Sequence, residues 1–297
     1  MNKRAETIEF TLNGRQVAAL PGETILQAAK REGVEIPHLC YKEGYRPDGN
    51  CRACVVEIAG ERVLAPSCCR NPAPGMQVSS ASARAVHSQK MVLELLASDM
   101  PEKSYTRDSE LAKWAGKLGV TQPRFPARHQ PAPDISHPAM WVNLDACIQC
   151  TRCVRACREE QGNDVIGYAF RGAHSKIVFD FDDPMGASSC VACGECVQAC
   201  PTGALAPAQE AWMQAPDKSV DSVCPYCGVG CQLTYHVKDN RILYVEGRDG
   251  PANRSRLCVK GRFGVDYVHH PQRLTRPLIR KSGIPKTKDF EIGRAHV

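Results

Sequence analysis

Cys190-Val191-Ala192-Cys193-Gly194-Glu195-Cys196-Val197-Gln198-Ala199-Cys200-Pro201 is the stretch that decides how the chain is read. Its cysteines follow the spacing C-x2-C-x2-C-x3-C, and the same spacing occurs at Cys147, Cys150, Cys153 and Cys157. The second copy starts 43 residues after the first, so residues 139–208 carry an internal repeat. A loop with a cysteine at every third residue wraps three corners of a compact metal core. It cannot reach the fourth corner, so one ligand must come from elsewhere. The small residues Ala192, Gly194 and Ala199 leave room for backbone amides near inorganic sulfides.

In two-cluster ferredoxins the fourth cysteine of each run ligates the other 4Fe–4S cluster. Carried onto this chain, one cluster takes Cys147, Cys150, Cys153 and Cys200, and the other takes Cys190, Cys193, Cys196 and Cys157. Zinc is the competing reading, because it too uses paired C-x2-C, but it does not call for two full runs. The first run ends in Cys157-Arg158, without the proline that follows Cys200. That leaves its turn geometry open, but not its ligation.

Working outward, residues 6–79 read as a compact mixed unit. Thr7–Leu12 alternates like a strand, Asn13-Gly14 makes a hairpin turn, and Arg15–Ala19 returns. Thr24 and Gln27 form a capping box for a helix whose apolar side is Ile25, Leu26, Ala28 and Ala29, with Gly33 as its stop. Strands are expected at Val55–Ile58 and Arg62–Ala65, joined through Ala59-Gly60-Glu61. This is the element order of a β-grasp ferredoxin. Ser82–Ser98 reads as a helix with Val86, Leu93 and Leu96 on one side, and Glu110–Leu118 as another. Five prolines between Thr121 and Pro138 mark an extended linker.

The N-terminal unit holds Cys40, Cys51, Cys54 and Cys68 at a spacing unlike the plant-type pattern. With Ile36-Pro37-His38-Leu39-Cys40, Asn50-Cys51-Arg52-Ala53-Cys54 and Pro66-Ser67-Cys68, it resembles the 2Fe–2S domain opening the large peripheral subunit of complex I. Related hydrogenase and formate dehydrogenase subunits share that domain. Gly49 is expected to let the loop approach the cluster. Cys69 is a rival to Cys68, read as a buried free thiol, and His38 is read as a packing residue. The family's next site, H-x3-C-x2-C, is degenerate here. Met100 and Ser104 occupy its first two positions, so no cluster is expected there and the 110–118 helix is expected to fill the space.

The last set is Cys224, Cys227 and Cys231, then Cys258 in Leu257-Cys258-Val259-Lys260-Gly261-Arg262-Phe263-Gly264. Spacing alone leaves zinc open. The flanking residues resemble the 4Fe–4S domain that opens molybdenum and tungsten bis-pterin oxidoreductases, most nearly formate dehydrogenase alpha subunits, and the likeness runs on through His270–Lys281. In that family a lysine beside the last cysteine lies between cluster and pterin, a cofactor-contacting position that Lys260 matches.

The resemblance implies an α+β multidomain chain. Its expected parts are a β-grasp 2Fe–2S domain at 5–81, a helical and Pro-rich segment at 82–137, a two-cluster 4Fe–4S ferredoxin domain at 138–208, a small β-rich 4Fe–4S domain at 217–273, and the start of a molybdopterin domain at 274–297. It implies one 2Fe–2S and three 4Fe–4S clusters. Electrons would run from a molybdenum or tungsten bis-pterin guanine dinucleotide site, which these residues lack, to flavin- and NAD-binding diaphorase subunits. No catalytic residue for formate is expected in the 297 residues. The tail Glu291–Val297 fits the resemblance poorly and equals one translation frame of a common sequencing-adapter oligonucleotide, so a truncated gene read is expected.

Composition agrees with this reading. The chain has 17 cysteines, no apolar signal region, no twin arginine and no long apolar run, which points to a cytoplasmic protein whose thiols bind metal. The net charge of +6 is spread out rather than striped, against nucleic-acid binding. Two other classes stay open: an electron-transfer subunit of a NAD-reducing hydrogenase or complex I-like NADH dehydrogenase, and a zinc-stabilised scaffold.

Overall fold

The computed structural model describes residues 7–208, 210–275, 278–280, 283 and 292–294. The end of the run through Lys281 and most of the tail Glu291–Val297 therefore lie outside the described residues.

Strands β1 (Ile8–Leu12) and β2 (Arg15–Ala19) pair antiparallel around Asn13 and Gly14, both at positive φ (49° and 79°), the backbone of a tight hairpin turn. Phe10, Leu12, Val17 and Ala19 point into the core and their neighbours point out. Helix α1 (Ile25–Arg31) starts at the capping box: Thr24 Oγ1 accepts from Gln27 N, and Gln27 Oε1 accepts from Thr24 N. Its buried Ile25, Leu26, Ala28 and Ala29 close on the sheet. Fully burying a side chain the size of Phe10, Leu12 or Ile25 stabilises by about 1.5–3 kcal/mol each.

The sheet is completed by β3 (Val55–Ile58), β4 (Ala65–Pro66) and β5 (Gln77–Ser79), in the order β2-β1-β5-β3-β4, with β1 and β5 parallel. This corrects the expected Arg62–Ala65 strand. Glu61 N bonds back to Ile58 O and closes a turn, Val63 faces solvent, and pairing resumes only at Ala65. The strand actually inserted between β1 and β3 is β5.

Helix α2 (Ala83–Ala97) is capped by Ser82, and its buried Gln89 donates to Val55 O at 2.9 Å, which ties it to β3. Helix α3 (Glu110–Lys117) packs Leu111 and Trp114, with Leu118 just beyond its end, among Leu39, Cys40, Leu93, Met100, Ile148 and Cys150. It thus sits between the first two cysteine loops. The proline-rich segment is extended and touches the next unit through the Asp134–Val142 bridge.

The repeat unit is bounded by the antiparallel pair β6 (Met140–Val142) and β9 (Leu205–Pro207) and braced by the hairpin β7 (Ile166–Ala169) and β8 (Lys176–Phe179). The two cysteine runs feed the short helices α4 (Arg152–Arg155) and α5 (Glu195–Ala199). The missing proline has a visible consequence. After α4 the chain winds on as a π-helical turn, Ala156–Glu160, whereas Cys200 before Pro201 is extended (φ −71°, ψ 121°). A proline disfavours helical backbone at the residue before it, and Arg158 imposes no such limit. The last unit is a sheet of β10 (Lys218–Val223), β11 (Gln232–Lys238) and β12 (Arg241–Gly247), with α6 (Val259–Phe263) packed on β12. Beyond it, Leu278–Arg280 pairs with Ile292–Arg294.

Candidate metal centres

Cys40, Cys51, Cys54 and Cys68 converge from three loops. Cys40 N donates to Cys51 Sγ at 3.4 Å. The Cys51 and Cys68 thiols donate to the Cys40 sulfur and hold its pKa down at about 2. The same bonds push Cys51 and Cys68 up, and Cys54 is lowered to about 7, chiefly by its bond with Cys68. Cys40, Cys54 and Cys68 are buried, and Ser67 Oγ donates to Cys54 O at 2.7 Å, fastening the Cys68 loop to the Cys54 loop. His38 bonds Ile36 O through Nδ1 at 2.8 Å and packs its ring against Tyr41 and Trp114, as a packing residue does.

Cys69 is exposed, which corrects the expectation of a buried thiol. Its backbone turns back onto Pro66 O, so it leaves the core directly after Cys68, although its sulfur stays 3.5 Å from that of Cys68. Gly49 (φ +63°) is needed for this sulfur: a Cβ there would come within 2.8 Å of Cys69 Sγ.

The two repeat loops share a backbone device. Gln149 and Thr151 in the first copy, and Ala192 and Gly194 at the equivalent positions in the second, are all left-handed, with φ between 55° and 71°. Non-glycine residues adopt this conformation rarely, and mostly at ligand clamps and functional turns. Here it aims amides at sulfur: Gln149 N donates to Cys147 Sγ and Ala192 N to Cys190 Sγ, each at 3.4 Å. Val165 N donates to Cys157 Sγ at 3.3 Å.

The thiols group across the repeat. Burial pushes Cys147 up to about 11, Cys150 to about 12 and Cys153 well above its ordinary value, and the nearby Cys200 adds to each rise. Burial likewise raises Cys190, Cys193 and Cys196, and there the added neighbour is Cys157. Cys200 therefore stands with the first run and Cys157 with the second.

In the last unit Cys224 N donates to Cys231 O at 2.8 Å, closing the Cys224–Cys231 loop. Burial raises Cys231, and Cys224, Cys227 and Cys258 add their charge. Cys227 and Cys258 are exposed, and Cys258 sits at the N-terminus of α6. Lys260 lies on that helix and is exposed.

Buried thiols with raised pKa stay protonated unless a cation is present to hold the thiolate, and metal coordination does this outright. All-sulfur donor sets of four, with amides aimed at the sulfurs, fit iron–sulfur clusters. Among the described residues no three His, Cys, Asp or Glu side chains stand together as tightly as one metal ion requires. A cluster has several irons and its own sulfides, so its thiolates stand further apart.

Cysteine spacing carries no sign of the arginines that join these loops. Arg155 donates through Nη2 to Cys40 O (2.7 Å) and Cys150 O (3.2 Å), and through Nη1 to Arg46 O (2.5 Å). Arg152 donates to Tyr41 O and pairs with Glu110 at 2.6 Å. Arg262 donates to Cys193 O at 3.0 Å and Gln198 Oε1 at 2.8 Å, and pairs with Glu195, which also accepts from Tyr45 OH. Gly194 exists for Arg262: a Cβ there would overlap Arg262 Cδ and lie 2.8 Å from its Nε. Its smallness serves a neighbouring side chain and not only a sulfide.

Three family models match in order: a 2Fe–2S iron–sulfur cluster binding domain at residues 5–83, the ferredoxin-like domain of NADH-quinone oxidoreductase subunit 3 at 138–206, and the molybdopterin oxidoreductase Fe4S4 domain at 217–270. The chain is 34% identical to a large NADH-quinone oxidoreductase subunit of Rhizobium meliloti over 93% of its length and 33% of that protein's. It is 28% identical to a Staphylococcus haemolyticus protein provisionally named a formate dehydrogenase, over 94% of this chain and 33% of the other. The chain thus spans about a third of the length of these relatives. A chain of the NAD+-reducing [NiFe]-hydrogenase, solved in the H2-reduced state, is 31% identical with a TM-score of 0.63, over 67% of this chain and 87% of that one. Among the described residues no helix is long and apolar enough to cross a membrane. Mixed α/β units with iron–sulfur sites follow one another here in the order these relatives share, and the chain belongs to the family of iron–sulfur electron-transfer modules found in NADH-quinone oxidoreductases, formate dehydrogenases and NAD-reducing hydrogenases.

Proposed function

We propose that the chain is the iron–sulfur portion of the alpha subunit of a cytoplasmic, NAD-dependent molybdenum or tungsten formate dehydrogenase. Four ligand sets carry the proposal. Cys40, Cys51, Cys54 and Cys68 would hold a 2Fe–2S cluster in a β-grasp domain at 5–81. Cys147, Cys150, Cys153 and Cys200, and Cys190, Cys193, Cys196 and Cys157, would hold two 4Fe–4S clusters at 138–208. Cys224, Cys227, Cys231 and Cys258 would hold a third at 217–273, with Lys260 facing the pterin of the longer protein. When bound, these clusters supply one-electron transfer. The residues of the chain fix the spacing of the centres, bury the sulfurs and aim amides at them. Electrons would enter at the Cys224 set and leave toward flavin- and NAD-binding subunits.

The observation that carries this reading is the grouping of the thiols in fours, with Cys157 and Cys200 exchanged between the runs. Anaerobic reconstitution tests it. A brown protein with about 14 irons and EPR signals on reduction is expected, since one 2Fe–2S and three 4Fe–4S clusters hold that many. A colourless protein with stoichiometric zinc would refute it in favour of the scaffold. Cys193→Ser should cost one 4Fe–4S cluster.

A second reading, an electron-transfer subunit of a complex I-like NADH dehydrogenase or a NAD-reducing hydrogenase, is favoured by the identity to the Rhizobium meliloti oxidoreductase and by the hydrogenase chain. Formate-dependent NAD reduction by the full-length protein with its co-purified subunits separates the two.

A further inference from the structure

The Arg155 side chain is 2% exposed and sits where two cysteine loops meet. Its Nη2 donates at once to the carbonyl of Cys40 and to that of Cys150, so a single nitrogen spans a residue of the first thiol set and a residue of the second. Its Nε lies 3.1 Å from Asp48 Oδ2 but is not aligned for a hydrogen bond, so the pair is held by charge. Asp48 is partly exposed and also accepts from Thr151 Oγ1 at 2.7 Å and from Arg46 Nη1 at 2.7 Å. Arg152, one turn earlier, is already matched by two bonds to Glu110. Arg155 is therefore the guanidinium between these loops whose carboxylate partner stands at the surface side.

We infer that the Arg155–Asp48 pair sets the reduction potentials of the two centres it lies between, those of the Cys40 and Cys147 sets; the inference rests on the cluster reading proposed above. The step concerned is the movement of one electron from one centre to the other, with no bond made or broken and no proton transferred. Each centre gains one negative charge on reduction, and a nearby positive charge favours that form. A guanidinium keeps its proton at any working pH, so its influence does not titrate away. Asp48 offsets part of this charge. The carboxylate and the guanidinium therefore act on the same two centres with opposite sign. Arg262 and Glu195 repeat the arrangement at the junction of the Cys190 loop with α6, which supplies an internal control.

The test is an EPR-monitored redox titration of the whole reconstituted chain. Asp48→Asn should raise the potentials of the Cys40 and Cys147 centres by about tenfold in the one-electron equilibrium, about 59 mV. Arg155→Gln should lower the same two, and Arg155→Lys should restore part of the loss. The Cys190 and Cys224 centres should hardly move in either case, and should be the ones displaced by Arg262→Gln. A merely structural role for Arg155 predicts lost iron without this pattern of signs. Should Arg155→Gln not fold, Asp48→Asn decides alone, because it leaves every bond to the Cys40 and Cys150 carbonyls in place. Potentials that stay put in Asp48→Asn, or that shift equally at all four centres, overturn the inference. A wild-type chain without clusters overturns instead the metal-centre reading beneath it.

Discussion

Replacing Gly194 with alanine should detach the last unit from the repeat unit. Gly194 has φ +71°, and an L-residue there costs about 1–2 kcal/mol in backbone strain alone. The larger effect is steric. The new Cβ would overlap Arg262 Cδ and come within 2.8 Å of Arg262 Nε and Phe263 Cζ. Arg262 would have to withdraw from Cys193 O, Gln198 Oε1 and Glu195. Glu195 is 1% exposed, so this leaves a buried carboxylate without its cation. Breaking a buried pair in this way costs about 3–5 kcal/mol. Tyr45 OH still donates to Glu195 at 3.0 Å, which places the cost at the low end. Strain and lost pairing together come to about 4–5 kcal/mol. Gly60→Ala is the matched control, with φ +84° and nothing within 4 Å of the added Cβ, so it should lose only about 1–2 kcal/mol. Hydrogen exchange of the cluster-loaded protein, followed by mass spectrometry across α5 and α6, measures both. Equal loss of protection at α6 in the two variants would refute the claim that Arg262 is seated by the absence of a side chain at 194.

The exchange of fourth ligands gives a second prediction: Cys200→Ser should remove the cluster of the first run and Cys157→Ser that of the second, read as a drop from about 14 to about 10 irons with different EPR signals lost. If each serine removes the cluster of its own run, ligation is not crossed. Thr24→Ala removes a capping box and should cost about 1 kcal/mol, seen as a lower denaturant midpoint for the N-terminal unit. His137 provides the pH test. Burial holds its imidazole below the ordinary value, and Ala139 N donates to its Nδ1 at 3.1 Å. The unfolded chain therefore takes up a proton first, near pH 6.5. The neutral-histidine contribution is complete above that pH and declines as the pH falls toward the lower folded value. The urea midpoint of wild type minus that of His137→Gln should fall over this window, and a flat difference would refute it.

The cysteine loops were legible because their chemistry is local. Spacing dictates which thiols one loop can present, and the left-handed turns at 149, 151, 192 and 194 are what that spacing requires of a backbone that must also point amides at sulfur. The hairpin at Asn13-Gly14 and the capping box at Thr24 were legible for the same reason, since each is complete within a few residues. What failed was non-local. The strand Gln77–Ser79 has three residues, too few to show a period of two, and it is a strand only because β1 and β3 leave a slot between them. Arg62–Leu64 has strand-like composition, but Glu61 closes a turn before it.

The arginines were hidden more deeply. Arg152, Arg155 and Arg262 stand close to cysteines in the sequence, where a charged residue reads as solvated loop. Their partners are 42 to 115 residues away. Burying a guanidinium is costly unless its donors are met, and carbonyls of the neighbouring cysteine loops meet them. The same residues that expose carbonyls by turning sharply around a metal site therefore supply the acceptors that let a cation be buried between two sites. The join between centres is then a by-product of loop geometry. A chain of closely spaced centres built from C-x2-C loops should bury arginines at its junctions wherever two such loops meet back to back.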